Sequence, residues 1–215
     1  MNTEKKVVII DYQLGNLFSV KQVCSHLGVD AKITSDKNEL LEADYAILPG
    51  VGAFGDSMNN LAHFDLVEPL RDFIAAGKPF MGVCLGMQLL FTESEEFGDT
   101  KGLGIIEGSI RKIPQSNGDN ETIKVPQIQW NKIETPEHRN WENTPLKTCK
   151  DGDFMYFVHS YYANPQNENL TSSKTEYGAI KYCSSIIKDN VFACQFHPEK
   201  SGENGVLIYK NWLGV

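Results

Sequence analysis

The chain has 215 residues, 41% hydrophobic and 22% charged, which suits one soluble globular domain over residues 1–215 with enough length for a full core. Its 28 acidic and 20 basic residues leave a net charge of −8 and a pI near 5.1, so nucleic acid and anionic membrane are not expected as partners: nothing offsets phosphate repulsion. No apolar run approaches the roughly 20 residues of a membrane-spanning helix.

The run Val7-Val8-Ile9-Ile10 is too short for a signal-peptide core and reads as part of a first strand, residues 6–11, ending in an acid. Residues 16–27 place Leu17, Val20, Val23, Cys24 and Leu27 at helical spacing and stop at Gly28. A strand over 31–35 and a helix over 37–42 follow. Residues 45–48 form another buried strand, expected to stop at Pro49-Gly50-Val51-Gly52, which does not continue a regular element. Helices over 55–63 and 66–76 lead to a strand over 78–83. Strands alternating with helices imply right-handed crossovers and a parallel sheet, with ligands at the carboxyl ends of its strands. Asp11, the 49–52 loop and Cys84 all fall at such ends. Beyond about residue 98 the pattern changes to strands at 105–113, 122–129, 154–160, 177–187 and 191–197, an antiparallel extension packed on the parallel core. Residues 116–120 read as a flexible turn, 164–174 as a polar loop, and 205–213 as a closing helix.

The most informative segment is Gly82-Val83-Cys84-Leu85-Gly86, where an apolar strand turns into a helix. This is a G-x-C-x-G version of the nucleophile elbow. Its glycines remove side chains where the turn is tightest and lift Cys84 above the sheet edge. Backbone N–H groups and a helix N-terminus behind it favour a thiolate and suit a developing oxyanion. Free cysteine is also a common small buried hydrophobe, so Cys84 needs a base to qualify as a nucleophile.

Of five histidines, His26, His63 and His138 fall on helices or in polar loops and read as surface residues. His159 reads as a structural histidine at a strand end. His197 lies in Phe196-His197-Pro198-Glu199, where a strand ends, proline fixes the backbone, and a carboxylate two residues on is near enough to accept from the imidazole. Cys84, His197 and Glu199 would complete a nucleophile, base and orienting acid. A turn bearing a solvated glutamate is the other reading of an isolated His-Pro-Glu. The five cysteines (Cys24, Cys84, Cys149, Cys183, Cys194) are odd in number and include no C-x-x-C pair, which implies free thiols, a reducing cytoplasmic setting and no zinc site. No G-x-G-x-x-G, P-loop or ligand cluster is present, so no cofactor and no metal are expected.

Gly82-Val83-Cys84-Leu85-Gly86-Met87-Gln88 and Phe196-His197-Pro198-Glu199 resemble the signatures of class I, triad-type glutamine amidotransferases. A finer resemblance, to glutaminase subunits that feed a synthase forming imidazole glycerol phosphate, is carried by four further blocks. These are Ile10-Asp11-Tyr12 with Gly15-Asn16-Leu17, Leu48-Pro49-Gly50-Val51-Gly52-Ala53-Phe54, Val158-His159-Ser160-Tyr161-Tyr162, and Pro126 with Trp130-Asn131. The resemblance implies an open, mostly parallel α/β sheet with a flavodoxin-like core. It implies attack of Cys84 on the glutamine amide, protonation of departing ammonia by His197, and a glutamyl thioester that water then hydrolyses, with Glu199 steadying the imidazole. It assigns the oxyanion to the N–H groups of Leu85 and Val51, and glutamine binding to Gly50, Gly52, Gln88 and the main chain around Ser160 and Tyr161. It implies a partner, a (β/α)8-barrel synthase subunit, because ammonia released to water becomes ammonium and loses its nucleophilicity.

Three positions depart from the family pattern. Gln13 stands where glycine usually follows the tyrosine, and Gln127 and Gln129 stand for a usual histidine and glycine in a block that faces the partner. These changes keep open a paralogous glutaminase serving amidation of a surface-polysaccharide sugar. A cysteine hydrolase of the PfpI type shares the elbow but usually lacks the distal His-Pro-Glu. A catalytically dead regulatory subunit is opposed by the complete Cys, His and Glu set.

Overall fold

The computed structural model describes residues 5–116 and 122–215. Its first half runs β1 (Val7–Ile10), α1 (Leu17–His26), β2 (Ala31–Thr34), α2 (Lys37–Glu42), β3 (Tyr45–Gly50), α3 (Phe54–His63), α4 (Val67–Ala75) and β4 (Phe80–Cys84). A single helical turn, α5 (Leu85–Gln88), leads to β5 (Phe91–Ser94), β6 (Thr100–Lys101) and β7 (Ile106–Lys112). Then come β8 (Gln127–Lys132), β9 (Phe154–His159), β10 (Tyr161–Pro165), β11 (Thr171–Tyr177), β12 (Ile180–Lys188), β13 (Val191–Cys194) and α6 (Gly202–Leu213). Short 3-10 turns occupy Glu168–Leu170 and Pro198–Lys200.

Among the described residues eleven strands form one sheet, in the order β2-β1-β3-β4-β13-β12-β10-β7-β5-β6, with β11 also pairing β12. The strands from β2 to β13 in that order are parallel. β1 is buried at every residue, as a strand covered on both faces must be. Its pleat sends Val8 and Ile10 into a core shared with Leu40, Leu61, Leu70 and Phe73, and Val7 and Ile9 into one shared with Val20, Val23, Ile208 and Leu213. Among the described residues no helix is long and apolar enough to cross a membrane.

The antiparallel extension expected from the sequence continues this sheet edge to edge, and among the described residues β8 and β9 stand apart as a two-stranded sheet. β3 continues through Pro49 and Gly50, past its expected end, with Pro49 opposite Val83 and Gly50 opposite Cys84. The reason is strand alternation. Tyr45 N–H points to β1 and Ala46 N–H to the β4 side, so Pro49 faces β1, where pairing has already ended at Ile47. The missing N–H therefore costs no ladder bond.

The helix after the elbow lasts one turn. The carbonyls of Leu89, Leu90, Phe91 and Thr92 are taken by N–H groups of residues 102–106 at 2.8–3.1 Å, which diverts the chain into β5. The expected polar loop over 164–174 contains the start of β11, whose Thr171, Ser172 and Ser173 are buried; Ser173 Oγ lies 2.9 and 2.6 Å from the hydroxyls of Ser184 and Ser185. The strand expected over 122–129 begins at Gln127, and that over 177–187 divides at Gly178, φ +59°, into β11 and β12. Most of the expected 116–120 turn lies outside the described residues.

Candidate active site

At the carboxyl edge of the parallel strands a cavity of about 250 Å³ is lined by Val51, Gly52, Cys84, Leu85, Gln88, Glu96, Pro126, Val158, His159, Ser160, Tyr161 and His197. Cys84 sits where β4 meets α5 with φ +55° and ψ −111°, a conformation that L-residues seldom occupy and that nucleophile elbows store. The flanking glycines have separate steric reasons. A Cβ at Gly86 would lie 1.8 Å from the Leu48 carbonyl oxygen, and one at Gly82 would lie 2.9 Å from that of Gly86. The elbow thus requires the helical turn to press onto β3. With only four residues, α5 has almost no macrodipole; its contribution is the first-turn N–H groups, Leu85 among them, which lack i−4 partners.

The neighbouring rim is the end of β3. Gly50 does not line the cavity: it pairs opposite Cys84, and a Cβ there would stand 2.3 Å from Tyr12 Oη. Tyr12 is fully buried and donates its hydroxyl to the Pro49 carbonyl at 2.9 Å, fixing the root of the loop. Beyond it Val51 is 40% exposed and Gly52 adopts φ +100°.

His197 is held from three sides. Its N–H donates to the Tyr156 carbonyl at 2.9 Å, its own carbonyl accepts from Ser201 Oγ at 2.6 Å, and its Nδ1 lies 2.7 Å from Glu199 Oε1. Glu199 is sealed behind the imidazole, away from the cavity, with its side chain 1% exposed. Burial favours the neutral imidazole, but the charge and hydrogen bonding of Cys84 and of Glu199 outweigh it and raise His197 to about 10. Nε2 of His197 has no hydrogen-bond partner among the described residues, so the pull of Cys84 on the ring is chiefly one of charge, and Nε2, the nitrogen not taken by Glu199, is the ring's free atom.

Gln88, a helix-surface residue or a ligand by sequence, is buried. Its Nε2 donates at 2.9 Å both to the Tyr161 carbonyl and to Gln195 Oε1. The Tyr161 carbonyl also receives His159 Nδ1 at 2.8 Å, and the Ser160 carbonyl receives the Ile113 N–H at 2.9 Å. Both lone pairs of the Tyr161 carbonyl are thus taken within the protein, while the Ser160 carbonyl accepts one bond. His159 is structural: burial lowers it to about 4, and Nε2 of the neutral ring lies 3.0 Å from Tyr182 Oη. Tyr182 in turn lies 3.0 Å from Gln127 Oε1. A tyrosine has one proton for these two neighbours, and exchanging the ends of the Gln127 amide gives each contact a donor.

The departures from the family pattern sort differently in three dimensions. Gln127 is wholly buried in this network and is no partner-facing residue, whereas Gln13 and Gln129 are exposed. Gln13 has φ +69°, which explains why glycine suits that position. Sequence reasoning missed Glu96 and Gln195. Glu96 is the cavity's carboxylate; it accepts the Phe54 N–H at 2.7 Å, and burial raises its pKa. Gln195 carried a readable signal, an amide inside the apolar run Val191-Phe192-Ala193-Cys194-Gln195-Phe196. His26, His63 and His138 are exposed, all five thiols are free, and no cluster of metal-ligating side chains occurs among the described residues.

The family model for class-I glutamine amidotransferases matches residues 8–213. The chain is 48% identical over 205 residues to the imidazole glycerol phosphate synthase subunit HisH of Caldanaerobacter subterraneus subsp. tengcongensis, covering 95% of each chain. It is 43% identical over 208 residues to the subunit of that name from Aquifex aeolicus, covering 96% of this chain and 95% of that one. Among solved structures, PurLQS from Thermotoga maritima aligns with TM-score 0.73 at 17% identity over 99% of both chains. A glutamine amidotransferase from the same organism aligns with TM-score 0.64 at 14% identity, covering 99% of this chain and 82% of that one. These two share the fold expected from the sequence. With its elbow, its closing His-Pro-Glu and nearly its whole length aligned, the chain belongs to the class-I glutamine amidotransferases, in the branch of the HisH subunits.

Proposed function

We propose that this protein is the glutaminase subunit of an imidazole glycerol phosphate synthase, working in the cytoplasm as one catalytic domain bound to a (β/α)8-barrel, HisF-like subunit in histidine biosynthesis. The observation that carries the reading is the placement of Cys84 and His197 on one cavity with Glu199 locked 2.7 Å behind the imidazole.

In this mechanism glutamine enters with its α-ammonium toward Glu96 and its α-carboxylate toward N–H donors near Tyr161 and Gly52. Gln88 fixes that rim. The Cys84 thiolate adds to the side-chain amide carbon, and the oxyanion takes the N–H groups of Leu85 and Val51. Such donors each lower the barrier to acyl transfer by about 2.7–4 kcal/mol. Protonated His197 gives its proton to the departing nitrogen, leaving a thioester. The charge on sulfur is then gone, so the main attraction that kept His197 protonated is lost. The ring, still oriented by Glu199, accepts a proton from the water that attacks the thioester, and glutamate leaves. Ammonia passes to the barrel subunit, which uses it on an aminoimidazole carboxamide ribonucleotide to give imidazole glycerol phosphate and AICAR. Burial of Gln127 removes one of the substitutions that favoured a polysaccharide-sugar acceptor.

The test is glutamate release by the lone chain and by the chain with a HisF-like partner together with its nucleotide substrate. Slow turnover alone and acceleration of at least about a hundredfold in the complex are expected. Full activity alone, or indifference to the barrel partner and its substrate, contradicts the proposal.

A further inference from the structure

Gln195 lies just past β13, is wholly buried, and has its N–H bonded to the Ser184 carbonyl at 2.9 Å. Its side-chain amide spans two functional groups: Oε1 accepts from Gln88 Nε2 at 2.9 Å, and Nε2 lies 3.6 Å from Cys84 Sγ. The direction of this amide follows from its neighbours. The Tyr161 carbonyl has only lone pairs, so Gln88 must turn its NH2 toward it. The same NH2 faces Gln195, which must therefore offer oxygen there and an N–H to the sulfur. A backbone carbonyl thus dictates, through two glutamines, that Cys84 meets a donor.

We infer that Gln195 is a positioning residue for the nucleophile, donating to the Cys84 thiolate and coupling the sulfur to the Gln88 side of the glutamine pocket. Donation to an anion is the stronger form of hydrogen bond and favours thiolate over thiol. It also gives the sulfur a donor to set against the Val158 carbonyl, an acceptor 3.9 Å from Sγ. The titratable groups that face the sulfur from the packed elements are His197, Tyr12, Tyr182 and Cys194. Substitution at Gln195 leaves all four in place. The inference rests on the proposal that Cys84 is the nucleophile.

Two near-isosteric variants separate the roles of the two amide ends. Gln195→Glu keeps an acceptor for Gln88 but puts negative charge beside the sulfur, and Gln195→Met removes both contacts. The full-length chain is alkylated with iodoacetamide across a pH series, and Cys84 modification is followed by peptide mass spectrometry. The midpoint is expected to rise by about one pH unit in Gln195→Met, a tenfold change in ionisation, and further in Gln195→Glu. In the complex, Gln195→Glu is expected to lower kcat at least tenfold with KM for glutamine within about twofold, whereas Gln195→Met also raises KM. Folded variants with the wild-type midpoint overturn the inference. Should both variants fail to fold, the wild-type protein labelled with 15N in its glutamine side chains decides: one amide proton must follow Cys84 ionisation and lose that response in Cys84→Ser, and no such amide overturns the inference. Failure of wild-type Cys84 to react with a glutamine-like electrophile instead refutes its nucleophilic role, a separate outcome.

Discussion

His197 Nδ1 and Glu199 Oε1 are 2.7 Å apart with both side chains shut away from solvent, 2% and 1% exposed, and only Pro198 separates them in the chain. The proline starts a 3-10 turn that swings Glu199 back beneath its neighbour. An ion pair this buried survives only with good geometry, and removing one partner strands the other.

Glu199→Gln keeps the shape and removes the charge. Turnover with the barrel subunit should fall by up to roughly 10⁴, the loss that neutralising the orienting acid of a catalytic triad produces. The His197 ring proton signals, followed by NMR, should titrate at lower pH than in the wild type. Unchanged turnover in a folded variant contradicts the orienting role.

The alkaline limb of activity follows from His197. With its value raised to about 10, the ring holds its proton throughout the neutral range, and in the proposed mechanism that proton goes to the departing ammonia. Activity should decline as pH rises through about 10. Stability should follow the same sign: a folded-state value above the unfolded 6.5 contributes fully below 6.5 and is lost as pH rises toward 10. Cys84→Ser removes the thiolate charge, so the His197 titration, read by NMR, should move downward.

His159 acts in the opposite direction. Burial lowers it to about 4, so the unfolded chain binds a proton that the native state refuses. Stability is complete above 6.5 and is lost as pH falls toward 4, by about 3 kcal/mol at the lower end. His159→Gln should flatten that part of the profile, measured as urea midpoints at pH 7 and about 4.5. Equal acid sensitivity in the two proteins contradicts a neutral buried ring.

Tyr12 and Gly50 occupy one space: an added Cβ at Gly50 would meet Tyr12 Oη at 2.3 Å and Leu85 Cβ at 2.9 Å. Gly50→Ala should cost about 1–3 kcal/mol by overpacking and displace the 51–52 rim. Tyr12→Phe removes the nearer atom, so the double variant should be more stable than the sum of the single effects, with coupling above about 0.5 kcal/mol in denaturant unfolding. Strict additivity contradicts the steric account.

The sequence was legible where local chemistry sets the structure. Cys84 between two glycines, and His197 fixed by Pro198 beside Glu199, are patterns complete within a few residues. β5 was hidden because its course depends on carbonyls captured by residues 102–106, with Gly102 as the only local hint. β11 was hidden because its Thr and Ser residues resemble a loop until their hydroxyls find β12. Glu96 and Gln195 were missed for a related reason: Glu96 is held at the cavity by Phe54, and Gln195 lies behind it against Gln88 and Cys84, all contacts distant in sequence. Gln127 shows the reverse error, since a departure from a family pattern says nothing of burial until the fold is known.

The central claim is tested most directly by a diazoketone analogue of glutamine, which alkylates the residue that attacks the amide carbon. With the full chain in complex with its barrel subunit, one adduct should form and map to Cys84. It should be abolished in Cys84→Ser, slowed at least tenfold in His197→Asn, and prevented by excess glutamine. An adduct on another cysteine, or labelling that persists in Cys84→Ser and ignores glutamine, would contradict the account.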